Sequence, residues 1–140
     1  MRILLDTCVV SEIQRPQGNV AVRQRVEETP NKDLFLSVLT VGELVKGISG
    51  LARGRRKDSL ERWLRSLEDD YADRILPVDI ETTRIWGELT SVSQKRGKIV
   101  SVPDGLIAAT AIRHGLHVMT RNVCDFQETG AMLINPWDQG

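Results

Sequence analysis

Aromatic residues, cysteines and net charge are all scarce in this sequence, and each shortage excludes a class of protein. Phe, Trp and Tyr make up 4% of the 140 residues, too few for the broad stacking platforms on which RNA-binding sheets hold bases. The two cysteines, Cys8 and Cys124, lie far apart and match no zinc spacing. Reduced thiols in a cytoplasmic protein are the expectation. Lys and Arg total 19, Asp and Glu total 19, and the formal charge is zero. A protein that grips polyanions over its whole surface would be more basic, so a nucleic acid could be held only by a local patch. No apolar run approaches the roughly 20 residues of a membrane span, and "MRILLDTCVV" is interrupted by Asp6 too early for a signal peptide. Repeats, low-complexity segments and linkers are also missing. What remains reads as a single domain over residues 1–140, and 41% hydrophobic residues are enough to build its core without disulfide or metal staples.

Short apolar strands alternate with helical patterns along the chain. "RILLD", "LFLSV" (Leu34–Val38), "ILPVD", "HVMT" (His117–Thr120) and "MLINP" read as strands. Between them "TCVVSEI", "NVAVRQRVEE", "TVGELVKGISGL", "GRRKDSLERWLRSLEDDYADR", "IETTRIWGELTSVSQKRGK" and "SVPDGLIAATAIRHG" read as helices. The inward stripes are expected at Val20, Val22 and Val26; at Val41, Leu44, Val45 and Ile48; and at Ile85, Trp86, Leu89 and Val92. This alternation predicts an α/β fold with a short-stranded parallel sheet covered on both faces. Such sheets bind ligands beyond the carboxyl ends of their strands.

Four acids fall at places of that kind. Asp6 ends the first strand, Glu43 is expected in the first turn of the helix after the second strand, Asp104 opens the helix before the fourth strand, and Asp125 follows the fourth strand. Helix capping explains each one separately. "Thr40-Val41-Gly42-Glu43" and "Ser101-Val102-Pro103-Asp104" fit the capping box, Pro103 suits a first turn, and Asp6 suits an N-cap. Capping does not explain why four carboxylates would meet at one sheet edge, where they repel unless a proton or cation intervenes. Hard oxygen donors favour Mg²⁺ or Mn²⁺, which suits phosphate-ester chemistry.

The segments "ILLDTCVVSEI", "LFLSVLTVGELVKGI", "SVPDGLIAATAIRHG" and "HVMTRNVCDF…INPW" resemble, in order and spacing, the PIN-domain ribonucleases, above all the VapC-type toxins of bacterial toxin–antitoxin pairs. The resemblance implies a PIN-like three-layer fold. It places the family's acidic quartet on Asp6, Glu43, Asp104 and Asp125, with Thr7, Thr120 and Asn122 at supporting positions. It implies Mg²⁺- or Mn²⁺-dependent endonucleolytic cleavage of RNA, a homodimer, and a small cognate antitoxin as partner. A metal-dependent phosphatase or a DNA nuclease could use the same acids, and a non-catalytic PIN-like RNA-binding module could share the fold. Two positions depart from the family pattern. Cys8 stands where relatives often carry Asn or Ser, giving a weaker hydrogen-bond partner. Gly105 stands where Ala is common, and could let a backbone or phosphate approach closely.

Two basic runs are candidate phosphate contacts: Arg53, Arg55, Arg56 and Lys57, and Lys95, Arg96 and Lys98. Arg121, beside Asn122, is a further candidate near the site. His114 and His117 read as structural, the former at a helix end closed by Gly115. Trp63, Trp86 and Trp137 read as core or dimer contacts, and any apolar surface left around Trp63 and "TCVVSEI" as a dimer or antitoxin face.

Overall fold

Side chains alternate across each strand, and here both sides of the sheet are apolar. Ile3 and Leu5 of β1 (Ile3–Leu5) point into one core, while Leu4 points into another. β2 (Leu34–Ser37) repeats this, with Leu34 and Leu36 on one side and Phe35 on the other. The same split places Met119 and Val118 of β4 (His117–Met119) on opposite faces. This two-sided burial is why the strands read as continuous hydrophobic runs. Each fully buried Leu, Ile or Val contributes about 1.5–3 kcal/mol.

The structure, a computed structural model, describes residues 1–137. With β3 (Ile75–Leu76) and β5 (Met132–Ile134), the strands form a five-stranded sheet in the order β3-β2-β1-β4-β5. All neighbours are parallel, Ile3 lying opposite both Leu34 and His117. Helices α1 (Thr7–Gln14), α2 (Val20–Glu28), α3 (Val38–Ser49) and α4 (Arg55–Asp70) supply the first core through Val9, Val10, Val22, Leu44, Ile48, Leu64 and Leu67. Helices α5 (Ile80–Lys95), α6 (Val102–His114) and α7 (Val123–Phe126) supply the second through Leu89, Ile107, Ala108, Ala109, Ala111 and Phe126. The chain winds outward from β1 to β3 and then returns to β4 on the other side. The topological switch point therefore lies between β1 and β4, where such sheets place their ligands. No helix among the described residues is long and apolar enough to cross a membrane.

Several expectations are corrected. Val38 begins α3 instead of ending β2, because the Ser37 side chain accepts the Leu39 N–H at 3.0 Å and caps the helix there. The capping box at Thr40 therefore does not form: Thr40 is a buried residue inside α3, and Glu43 lies in its second turn. Val20 and Val45 are exposed instead of inward. On α5, Val92 is exposed and the inward face runs through Thr82, Leu89 and Ser93. The two hydroxyls are buried at low cost because each has a partner: Thr82 donates to Asp79 Oδ1 at 2.8 Å and Ser93 to the Glu128 carbonyl at 3.2 Å.

Gly105 also has a packing role. A Cβ there would stand 2.9 Å from Cδ1 of the Trp86 indole, so the space left by glycine is filled by α5 and not open to a phosphate. This close approach seats the start of α6 against α5. At its other end α6 stops on Gly115, whose φ of 68° is a left-handed C-cap.

Candidate functional site

Asp6 is the first residue beyond β1. Its N–H donates to the Met119 carbonyl at 3.0 Å, so its backbone is held between the two central strands. The residue is 6% exposed. Oδ1 accepts the Thr7 N–H at 2.9 Å, as an N-cap of α1. Oδ2 accepts the Thr120 hydroxyl at 2.8 Å and faces the Cys8 thiol at 3.6 Å. Burial pushes the Asp6 carboxyl above the usual value; the Thr120 and Thr7 bonds oppose this, and the charge of Asp104 adds to it.

Thr120 is fully buried just after β4. Its single hydroxyl proton goes to Asp6 while its oxygen accepts the Asn122 N–H at 3.0 Å. Asn122 thus supports the site through its backbone, and its exposed side chain makes no cap bond to α7. Cys8 lies beside Asp6 and Thr120. Its sulfur accepts the Arg121 N–H at 3.5 Å and lies 3.7 Å from Thr120 Oγ1. Burial, and after it the Asp6 charge, pushes the thiol upward, against the Arg121 bond.

Asp104 lies in the first turn of α6, its N–H held by Ser101 Oγ at 3.2 Å. Its carboxyl is raised, first by burial and then by the charges of Asp125 and Glu43, against the Ser101 hydroxyl. Asp104 therefore feels Asp125 and Glu43 while Asp6 feels Asp104, which links all four acids electrostatically. Glu43 is exposed on α3, its Oε1 accepting the Thr7 hydroxyl at 2.6 Å. Asp125 is exposed on α7, its N–H bonded to the Asn122 carbonyl at 3.0 Å. Thr7 joins the two sides, its backbone on Asp6 and its side chain on Glu43. Sequence reasoning missed Thr40, whose buried Oγ1 lies 3.2 Å from Thr7 Oγ1. Reading Thr40 as a cap hid it; a hydroxyl three residues before the acid, on the buried side of α3, was the available signal.

Among the described residues no cation is paired with these acids. Among the described residues the ion pairs are Arg15–Glu12, Arg74–Asp73, Arg96–Glu128 and Arg113–Asp79. Among the same residues no three His, Cys, Asp or Glu side chains are placed to grip an ion as they stand. The donor set nonetheless fits a hard divalent cation in kind: carboxylate oxygens, two of them carrying raised carboxyls, without a neutralising base. Closing on such an ion would require these acids to draw closer together.

The basic candidates separate. Arg56 lines a groove of about 300 Å³ with Thr7, Glu43, Leu44, Ile48, Leu60, Trp63 and Arg15. A further groove of about 490 Å³ shares Gln14, Arg15, Arg56 and Leu60 with it. Arg15 was not anticipated. Lys57 donates to the Ser49 carbonyl at 3.4 Å, closing the end of α3 instead of facing the acids. Arg53 and Arg55 are exposed near the start of α4. Arg96 faces Glu128 at 3.8 Å across a groove that contains none of the four acids, and Lys95 and Lys98 are exposed. Arg121 lies over the Trp137 ring, 5.4 Å from its centroid. His114 lines no part of the site: its carbonyl accepts from Arg2, and burial lowers its pKa. Asp79 caps α5 through the Thr82 N–H at 2.9 Å.

Residues 3–130 match the PIN domain family. Toxin FitB of Neisseria gonorrhoeae is 40% identical over 136 residues, which cover 96% of this chain and 98% of that protein. VapC ribonuclease Y4jK of Sinorhizobium fredii is 34% identical over 137 residues, covering 97% of this chain and 98% of its own. The crystal structure of FitAcB from Neisseria gonorrhoeae superposes with a TM-score of 0.93 at 39% identity, covering 97% of this chain and 99% of that one.

Proposed function

The chain belongs to the PIN domain family, and from that premise we propose that it is a Mg²⁺- or Mn²⁺-dependent endoribonuclease acting in the cytoplasm as the toxin of a toxin–antitoxin pair. One PIN-like domain over residues 1–140 carries this activity. The observation that supports it most is the gathering of Asp6, Asp104, Asp125 and Glu43 near the switch point of the sheet, where Asp6 feels the charge of Asp104 and Asp104 those of Asp125 and Glu43, with no basic side chain paired to any of them among the described residues. Relatives named as a toxin and as a ribonuclease, aligned over nearly their whole length, support the substrate class.

Asp6, Asp104 and Asp125 would hold the ion, and Glu43 would complete the set or orient the attacking water. A bound Mg²⁺ or Mn²⁺ supplies neutralisation of the scissile phosphate and a water of lowered pKa. The Thr7 N–H and the Thr120 hydroxyl fix both Asp6 oxygens in place. Water attacks phosphorus in line and gives up one proton to solvent, the bond from phosphorus to the 3′ oxygen breaks, and that oxygen takes up one proton from solvent. The products are a 5′-phosphate and a 3′-hydroxyl.

The groove between α1, α3 and α4 is the proposed seat of the antitoxin. Leu44, Ile48, Leu60 and Trp63 give it apolar walls, Arg15 and Arg56 give it cationic edges, and Glu43 brings it to the acids. A segment lying there would block RNA. A homodimer belongs to the same proposal. Ile99, 97% exposed, and Val102 are apolar side chains left uncovered in the single chain.

The test is cleavage of single-stranded RNA with Mn²⁺, with EDTA, and by Asp104→Asn. Cleavage by wild type with Mn²⁺ alone supports the proposal. Turnover of small phosphate esters or DNA in place of RNA, or full activity in Asp104→Asn, contradicts it.

A further inference from the structure

Arg121 is the one cation of the candidate set that reaches the acid site through its own backbone, yet its side chain avoids the acids. Its N–H bonds Cys8 Sγ at 3.5 Å, and that sulfur is 3.6 Å from Asp6 Oδ2. An exposed arginine beside an uncompensated carboxylate cluster is expected to fold onto it. Here the guanidinium carbon lies 5.4 Å from the centroid of the Trp137 indole, and Arg121 makes no ion pair among the described residues. A guanidinium over an indole face is held by the ring quadrupole while its N–H edge stays free for an anion. Trp137 is itself fixed: it is half-buried against the core that contains Ile3, Leu5 and Met119, and its N–H donates to Asn135 Oδ1 at 2.9 Å. The platform therefore rests on the same strands that carry Asp6 and Thr120.

We infer that Trp137 is a positioning residue that holds the Arg121 guanidinium off the acids and presents it to a backbone phosphate of the RNA strand. This rests on the ribonuclease reading above and adds a contact to it. The ligand class is a phosphodiester anion. The contact carries no base readout, because a guanidinium on a phosphate orients the strand without reading sequence. It also gives the late aromatic of the chain a task apart from core filling.

The test is the salt dependence of binding to a fluorescent single-stranded oligoribonucleotide, measured without divalent metal in an Asp104→Asn background so that nothing is cleaved. Losing one phosphate contact to a single strand reduces the slope of log K against log salt by about 0.7, equivalent to about fourfold weaker binding near 0.15 M salt. Arg121→Gln, at an exposed position, should show that loss. Trp137→Leu should lose a similar amount, Trp137→Phe should retain most of the contact, and Arg121→Gln combined with Trp137→Leu should lose no more than Arg121→Gln alone. An unchanged slope in Arg121→Gln, with the parent binding RNA normally, overturns this inference and leaves the ribonuclease reading intact. Additive losses in the double variant overturn the role of Trp137. A parent that binds no RNA at any salt overturns the ribonuclease reading, and this contact with it.

Discussion

Asp6 is 6% exposed, with the Thr7 N–H, the Thr120 hydroxyl and the Cys8 thiol on its two oxygens. Glu43, an acid of the same site, stands exposed on α3 with the Thr7 hydroxyl as its donor. Asp125 resembles Glu43 in its exposure, and Asp104 lies between the two extremes. One half of the site is therefore built into the sheet, and the other half is mounted on helix surfaces. The built half costs stability in the metal-free protein, since burial raises both Asp6 and Asp104. The exposed half leaves Glu43 and Asp125 room to turn toward a cation in the proposed site. A site rigid on both sides would bring four carboxylates together with nothing between them.

The largest expected effects come from breaking the built half. Asp6→Asn and Asp104→Asn should each reduce RNA cleavage at least about a hundredfold while the circular dichroism spectrum is unchanged, since each removes an expected ligand. Glu43→Gln should lose less, and an equal loss would mean that the two halves do not differ.

Next are the threonines that hold each half. Thr120→Val and Thr7→Val should each reduce activity about 10- to 100-fold. Their stabilities should diverge. Thr120→Val leaves the Asn122 N–H and Asp6 Oδ2 without their partner in a buried place, at about 1–3 kcal/mol, whereas the exposed Glu43 released by Thr7→Val can turn to water. Urea melts of the two variants check this.

The pH dependence has a definite sign. Asp6 and Asp104 bind protons more tightly in the folded chain than at the ordinary value of 3.8. Their contribution to stability is therefore fully present below that value and is lost as pH rises through their raised folded values. Without metal, Asp104→Asn should melt higher than wild type above that window and match it more closely below. Saturating Mn²⁺ should reverse the order at neutral pH, because the ion binds the ionised site of the folded wild type. Melting curves with and without Mn²⁺ at several pH values read both effects.

The smallest effects concern the helices that carry the acids. Ser37→Ala removes the cap of α3 and should cost about 1 kcal/mol. Gly105→Ala should be destabilising by a similar amount, because overpacking against Trp86 outweighs the gain of alanine over glycine in a helix. In a Trp86→Leu background the sign should turn, since the indole edge is gone.

The parallel sheet and its helices were legible because two-sided burial writes continuous apolar runs. Asp104 was legible because "Ser-Val-Pro-Asp" does form the start of α6. The start of α3 was misplaced because two hydroxyl residues, Ser37 and Thr40, compete as caps, and the end of β2 decides for Ser37. The inward face of α5 differs from the expected one because Thr82 and Ser93 can be buried only if Asp79 and the Glu128 carbonyl satisfy them, and the second of these partners is 35 residues away in sequence. The fit of Cys8, the filling of the Gly105 space by Trp86 and the platform under Arg121 depend on long-range contacts of the same kind. No local pattern encodes them.

The central claim is that these acids form a cation site which closes from a fixed half. Calorimetric titration of Mn²⁺ into the metal-free protein, wild type against Asp104→Asn, tests it directly. The account predicts a saturable heat for wild type that is lost or weakened at least tenfold in Asp104→Asn. Equal binding by the two proteins, or no binding by either, would contradict it.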